Sequence, residues 1–281
     1  MPSRTFTLGY SPCPNDTFIF YALVHKKIKA GDLKFAEMLE DVETLNQLAL
    51  RSELDITKVS FHAYGHLQDN YCLLHSGGAL GKGCGPLVVA NENYDITDLK
   101  GKKIAVPGMF TTAFLLLQIF DISLKENIIT IPFNKIIDAV KNGDVSAGLV
   151  IHESRFTYEK AGLKKIIDLG EWWESKTDLP VPLGGIAAKR ILGNNVIHSI
   201  DMLLRKSIEY ALSNKHETTS YIKKHSQEME DAIIEKHINL YVNNYSLDLG
   251  NDGIQAVERL FEEAAELGII KKSAMPLFSV K

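Results

Sequence analysis

Short apolar runs alternate with amphipathic stretches from the first residues onward. This is the pattern of strands feeding helices in a parallel or mostly parallel sheet covered on both faces. Residues 6–10 read as a strand and 18–27 as a helix. Val42, Leu45, Leu48 and Ala49 share one helical face, and 55–59 and 71–75 read as strands. Residues 87–90 form a further apolar strand, the polar stretch 91–98 is turn-like, and a fresh strand–helix unit starts at Lys102. That unit takes in the run 103–106, a helix over 113–120, the segment 130–133, a helix over 135–141 and a strand over 147–151, and closes at 169–173. The proline- and glycine-rich run 180–185 then stiffens and bends the chain before a strand over 186–188. From Ile191 onward everything reads as helical, with apolar spacing over 201–212, 218–224, 227–242 and 253–267.

A unit interrupted by another, with two crossings and a helical tail, is the plan of a two-lobed, hinged α/β fold. The chain's 281 residues suit two domains: a larger, discontinuous lobe over 1–90 and 187–281, and a second lobe over 91–186. Ligands lie between the lobes of such a fold, where closure excludes water and can complete a catalytic constellation.

Composition removes several partners. A formal charge of −4, with both signs dispersed, leaves no footprint for nucleic acid or an anionic membrane. The first residues run straight into a strand with no apolar signal core, which reads as cytoplasmic, and no run is long enough to span a bilayer. Cys13, Cys72 and Cys84 are odd in number and lack paired spacing, as expected of reduced thiols. No pattern in the chain indicates an oligomeric state.

The most distinctive stretch is Ser11-Pro12-Cys13-Pro14-Asn15-Asp16-Thr17-Phe18, between the first strand and the first helix. Two prolines stiffen it, and Asn15 or Asp16 can cap the helix. A rigid helix mouth of this kind suits a small anionic ligand. The same grammar recurs at Ser60 and at Thr111-Thr112, so three mouths are expected to face one crevice beyond the carboxyl ends of the strands.

His152 ends an apolar strand, where an imidazole can act as a general base. Glu153 beside it resembles the opening of a zinc-binding helix motif, but position 156 is Phe, so the second ligand is missing. His62 and His66, four apart, with His75 further on, lack an acidic partner at helical spacing, and no metal is expected. Cys13 near a helix mouth has no base among its sequence neighbours. Gly81, Gly83 and Gly85 precede a strand instead of opening a helix, so they suit backbone approach to a ligand or hinge motion rather than a dinucleotide. Trp172 and Trp173 read as packing residues.

Several motifs together resemble the 1,4-dihydroxy-6-naphthoate synthases of the futalosine route to menaquinone, over essentially the whole chain. They are the run from Gly9 through Ser11-Pro12-Cys13-Pro14-Asn15-Asp16 to Leu23, Glu40-Asp41-Val42-Glu43-Thr44-Leu45-Asn46, Ser76-Gly77-Gly78-Ala79-Leu80-Gly81, Ile151-His152-Glu153-Ser154-Arg155-Phe156-Thr157-Tyr158, and Tyr245-Ser246-Leu247-Asp248. The resemblance implies a periplasmic-binding-protein-like (type II) fold used as a cytoplasmic lyase, with neither metal nor organic cofactor. It implies that cyclic dehypoxanthine futalosine is cleaved to the naphthoate and a sugar-derived carbonyl fragment. By position it makes His152 the proton acceptor and Lys58, Val59, Ser60, Thr111 and Thr112 the substrate contacts. Ser11, Asn15, Asp16 and Arg155 are further candidates to line the cleft. A ligand receptor without catalysis and chorismate dehydration on a similar fold are the competing functions.

Overall fold

The apolar runs pair into two separate sheets. The computed structural model describes residues 4–227 and 230–281. Its strands are β1 (Arg4–Tyr10), β2 (Leu33–Leu39), β3 (Ile56–Ser60), β4 (Tyr71–Leu73), β5 (Ala79–Gly81), β6 (Leu87–Ala90), β7 (Ile104–Val106), β8 (Ile128–Thr130), β9 (Ala147–Val150), β10 (Lys164–Asp168) and β11 (Val181–Lys189). The α-helices are α1 (Pro14–Val24), α2 (Val42–Leu50), α3 (Phe61–Tyr64), α4 (Thr112–Phe120), α5 (Ile136–Lys141), α6 (Ser154–Thr157), α7 (Leu169–Thr177), α8 (Asn194–Ser213), α9 (Lys215–His225), α10 (Asp231–Tyr241), α11 (Asn244–Leu247) and α12 (Gly250–Glu266). No described helix is long and apolar enough to cross a membrane.

The first sheet has the order β2-β1-β3-β11-β4, with β5 also on β11; the second has the order β10-β6-β9-β7-β8. Strands β1, β2 and β3 are parallel, as are β7, β8 and β9. In contrast, β11 is antiparallel to β3, β4 and β5, and β6 is antiparallel to β9 and β10. The sheets are therefore mixed rather than mostly parallel, for a reason that lies in the crossings. β1, β3 and β9 end at the space between the sheets, whereas β6 and β11 start beside it and run the opposite way.

Residues 87–90 pair in the second sheet and 181–185 already pair in the first, so the chain changes sheet at 82–86 and 178–180. Pro182 is accommodated in β11 because the register with β5 shifts between Pro182 and Gly184. Residues 169–173 belong to α7, and 268–281 are not helical. Instead the tail adds to the edge of the first sheet: Leu73 N–H donates to Leu277 O at 2.9 Å and Ser279 N–H to Leu73 O at 2.8 Å. Residues 228–229 of the expected helix 227–242 lie outside the described residues, and the helix that forms, α10, covers Asp231–Tyr241.

Three apolar layers hold the sheets. One, with Val59, Phe61, Val88, Ile104 and all of the apolar face of α4, lies between them. A second packs α1 and α8 on the far side of the first sheet through Phe6, Leu8, Ile19 and Leu204. The third packs α5 on the far side of the second sheet through Ile136 and Val140. Burying a large aliphatic side chain contributes roughly 1.5–3 kcal/mol, so the shared middle layer holds β3, β6, β7 and β9 relative to one another.

Candidate active site

Between the sheets lies a cleft of ≈ 660 Å³. All three helix mouths reach it: Ser11, Asn15 and Asp16 from α1, Ser60 from α3, and Thr111, Thr112 and Ala113 from α4. Lys58, Val59 and His152 line it as well, together with Cys84–Pro86 from the first crossing and Tyr241 from α10. Every expected contact except Arg155 is thus a wall of one cleft.

His152 follows the end of β9 in the left-handed region, φ 53°, a conformation that costs a side-chain-bearing residue about 1 kcal/mol. Its ring meets Phe133 edge-on, with centroids 5.1 Å apart, and lies nearly parallel to His237 at 6.0 Å and 17°. Burial pushes the imidazole down to about 4; Asp16 and Asp41 pull it back up, and Lys58 pushes it further down. It is neutral at neutral pH and able to accept a proton.

His237 was not singled out from sequence. The signal available was a histidine at a core position of α10, in the stripe Ile233, Ile234, His237, Tyr241. Its Nε2 meets Asn15 Oδ1 at 2.9 Å. Asn15 Nδ2 donates to Asp16 Oδ1, so Asn15 Oδ1 is the acceptor and His237 Nε2 carries the proton. Burial holds His237 well below its ordinary value.

Asp16 does not cap α1. Cys13 occupies the cap with no side-chain bond, and Pro14 sits at the first position. The Asp16 carboxylate turns back to accept from Ser11 Oγ at 2.7 Å and from Lys58 Nζ at 2.9 Å, both within the protein interior. That pair gives the cleft a buried ammonium. Among the described residues Asp16 is its one hydrogen-bond partner, so two of its three N–H bonds remain to meet a ligand oxygen.

At the third mouth the hydroxyls are already committed. Thr111 Oγ1 donates to Gly108 O at 2.8 Å, and Thr112 Oγ1 donates to Leu183 O while accepting from Phe61 N–H. What faces a ligand there are the Thr112 and Ala113 N–H groups at the first turn of α4, which have no acceptor among the described residues. Ser60 differs: its Oγ accepts from Asn46 Nδ2 at 3.2 Å, leaving its own proton to donate. Asn46 also binds Ser60 N–H and Phe110 O, and Glu43 accepts from Phe110 N–H, so α2 ties β3 to the loop before α4.

Arg155 stands behind the wall. It pairs with Asp168 at 2.7 Å and donates to Gly85 O, bracing the crossing segment from outside. The same place explains Gly85: a Cβ there would lie 2.3 Å from Gly170 Cα, so two main chains touch. Trp173 is core, donating to Pro180 O at 3.1 Å, and Trp172 packs on Phe120. His62 and His66 pack with Phe110, whereas His75 stacks on Phe278.

A cleft between two mixed sheets, crossed twice by the chain and holding a neutral histidine and a paired lysine, defines a two-lobed ligand-binding fold equipped as an enzyme. Structures of the same shape include a protein of the generic periplasmic binding protein fold from Candida albicans, with TM-score 0.69 and 16% identity over 96% of this chain and 92% of that one. An Archaeoglobus fulgidus protein has TM-score 0.88 and 37% identity over 95% of this chain and 98% of its own. Residues 6–266 match the family described as menaquinone biosynthesis. The 1,4-dihydroxy-6-naphthoate synthase of Thermus thermophilus is 48% identical over 96% of this chain and 98% of its own length. That of Streptomyces coelicolor is 42% identical, over 96% of each. The chain belongs to this menaquinone biosynthesis family.

Proposed function

We propose that the protein converts cyclic dehypoxanthine futalosine to 1,4-dihydroxy-6-naphthoate, with His152 as general base. The observation that carries the reading is the neutral imidazole of His152 on the wall of a cleft shared by three helix mouths. His152 takes an acidic proton from the bound cyclic substrate, electrons move toward a carbonyl, and the bond to the sugar-derived fragment breaks as the second ring becomes aromatic. The developing negative oxygen is met by donors that need not reorganise: the Ser60 hydroxyl and the Thr112 and Ala113 N–H groups. Lys58, oriented by Asp16, offers its remaining N–H bonds to an anionic oxygen of the substrate. The two lobes, one built on the first sheet and one on the second, with the chain crossing between them at 82–86 and 178–180, move relative to one another as the substrate enters, closing the cleft to water.

Purified protein is incubated with the cyclic substrate in the presence of a chelator, and the naphthoate is followed by ultraviolet absorbance and mass. Product formation is expected. Unchanged substrate that raises the melting temperature would make the protein a receptor, and turnover of chorismate instead would make it a dehydratase.

A further inference from the structure

The adjacent pair His152 and Glu153, after β9, meets Cys13, which lies just before α1, at the edge of the cleft. Cys13 Sγ, a ring nitrogen of His152 and a carboxylate oxygen of Glu153 all lie within 4.8 Å of one another. Cys13 and Glu153 are not walls of the main cleft. They line, with His152, Asp41 and Phe133, a separate cavity of ≈ 320 Å³ on its flank. His152 is therefore the partition between two spaces, the main cleft and a flanking cavity in which a thiol, an imidazole and one carboxylate converge.

Thiol, imidazole and carboxylate together form the donor set of a borderline-soft divalent cation such as Zn²⁺. Metal–ligand bonds of about 2.0–2.3 Å put tetrahedral ligand atoms about 3.5 Å apart, so side-chain rotations that move these atoms by roughly 1 Å close the set. The Asp41 carboxylate, engaged at the start of α2 by the Glu43 and Thr44 N–H groups, adds negative charge to the same cavity wall.

We propose that Cys13, His152 and Glu153 form an inhibitory site for a Zn²⁺-class cation. On binding, the thiol proton of Cys13 passes to solvent and the sulfur bonds the metal as thiolate; no redox change occurs. The ion occupies the lone pair of the His152 nitrogen, leaving water or a substrate oxygen for its fourth position. Inhibition rests on the reading of His152 as the base; binding does not.

The full-length protein, stripped with chelator and dialysed, is titrated with Co²⁺ and then Zn²⁺. A thiolate-to-cobalt charge-transfer band in the near ultraviolet is expected, displaced by Zn²⁺. Cys13→Ser should abolish the band, and Glu153→Gln should weaken binding by about tenfold or more, as loss of a direct ligand costs at least what loss of its supporting partners does. Both variants should keep wild-type turnover in chelator while resisting Zn²⁺. Absence of the band, or a band unchanged in Cys13→Ser, overturns the site. A band that weakens in His152→Ala, combined with undiminished wild-type turnover under saturating Zn²⁺, overturns the inhibition and speaks against His152 as base while leaving the site intact. Turnover that falls equally in wild type and Cys13→Ser overturns the assignment of inhibition to this site.

Discussion

The rings of His152 and His237 lie face to face, 6.0 Å between centroids and 17° from parallel, although one ends a strand of the second sheet and the other sits on α10. This contact removes one face of the His152 ring from water, and the bond from His237 to Asn15 ties it to the first helix mouth. His152 is thus positioned by a residue from a distant part of the chain.

A pH profile follows directly. With chelator present, the acid limb of kcat/KM should lie near 4, where burial places the free-enzyme imidazole, and not near the ordinary 6.5. His237→Ala admits water beside the ring and should move that limb upward. A wild-type limb near 6.5 would contradict the account. Stability has the same origin. At low pH the unfolded chain binds protons that buried His62 and His152, each near 4, do not. Their contribution is therefore present above about pH 6.5 and lost as pH falls toward 4, which thermal melts across that window would register.

Removing one partner of the Asp16–Lys58 pair leaves a buried charge alone. Asp16→Ala should destabilise by about 3–5 kcal/mol, read by denaturant unfolding. The double variant Asp16→Asn with Lys58→Met should lose much less than the sum of the two single variants while remaining poorly active, because the ammonium proposed to meet the substrate is gone.

The glycines of the first crossing should behave differently from one another. Gly85→Ala forces a Cβ to within 2.3 Å of the Gly170 main chain. It should cost on the order of 1–3 kcal/mol and lower kcat/KM as the cleft wall shifts. Gly83, at φ +67° with no atom within 4 Å of a Cβ, should lose only about 1 kcal/mol as alanine and keep its activity.

Much of this site is legible in the sequence because strand–loop–helix junctions are local. The junctions at Ser11, Ser60 and Thr111-Thr112, and the strand-end His152, could be named from spacing, and they converge on one cleft. What could not be read is whatever depends on a distant partner. The Thr111 and Thr112 hydroxyls look available in sequence, but Gly108 O and Leu183 O engage them. Arg155 looks like a cleft cation, but Asp168 and Gly85 draw it behind the wall. His237 is one apolar-face position among many in a helix until α10 packs against α1. The mixed sheets escaped for the same reason: strand direction in β6 and β11 is set by where the chain crosses, not by residue pattern.

The most direct test compares His152→Ala with wild type on the cyclic substrate, measuring turnover and substrate-induced thermal stabilisation in the same preparation. The account predicts turnover lower by about 10²–10⁴-fold with the stabilisation retained. A variant that keeps more than about a third of the wild-type rate, well outside the loss expected of a general base, would contradict it.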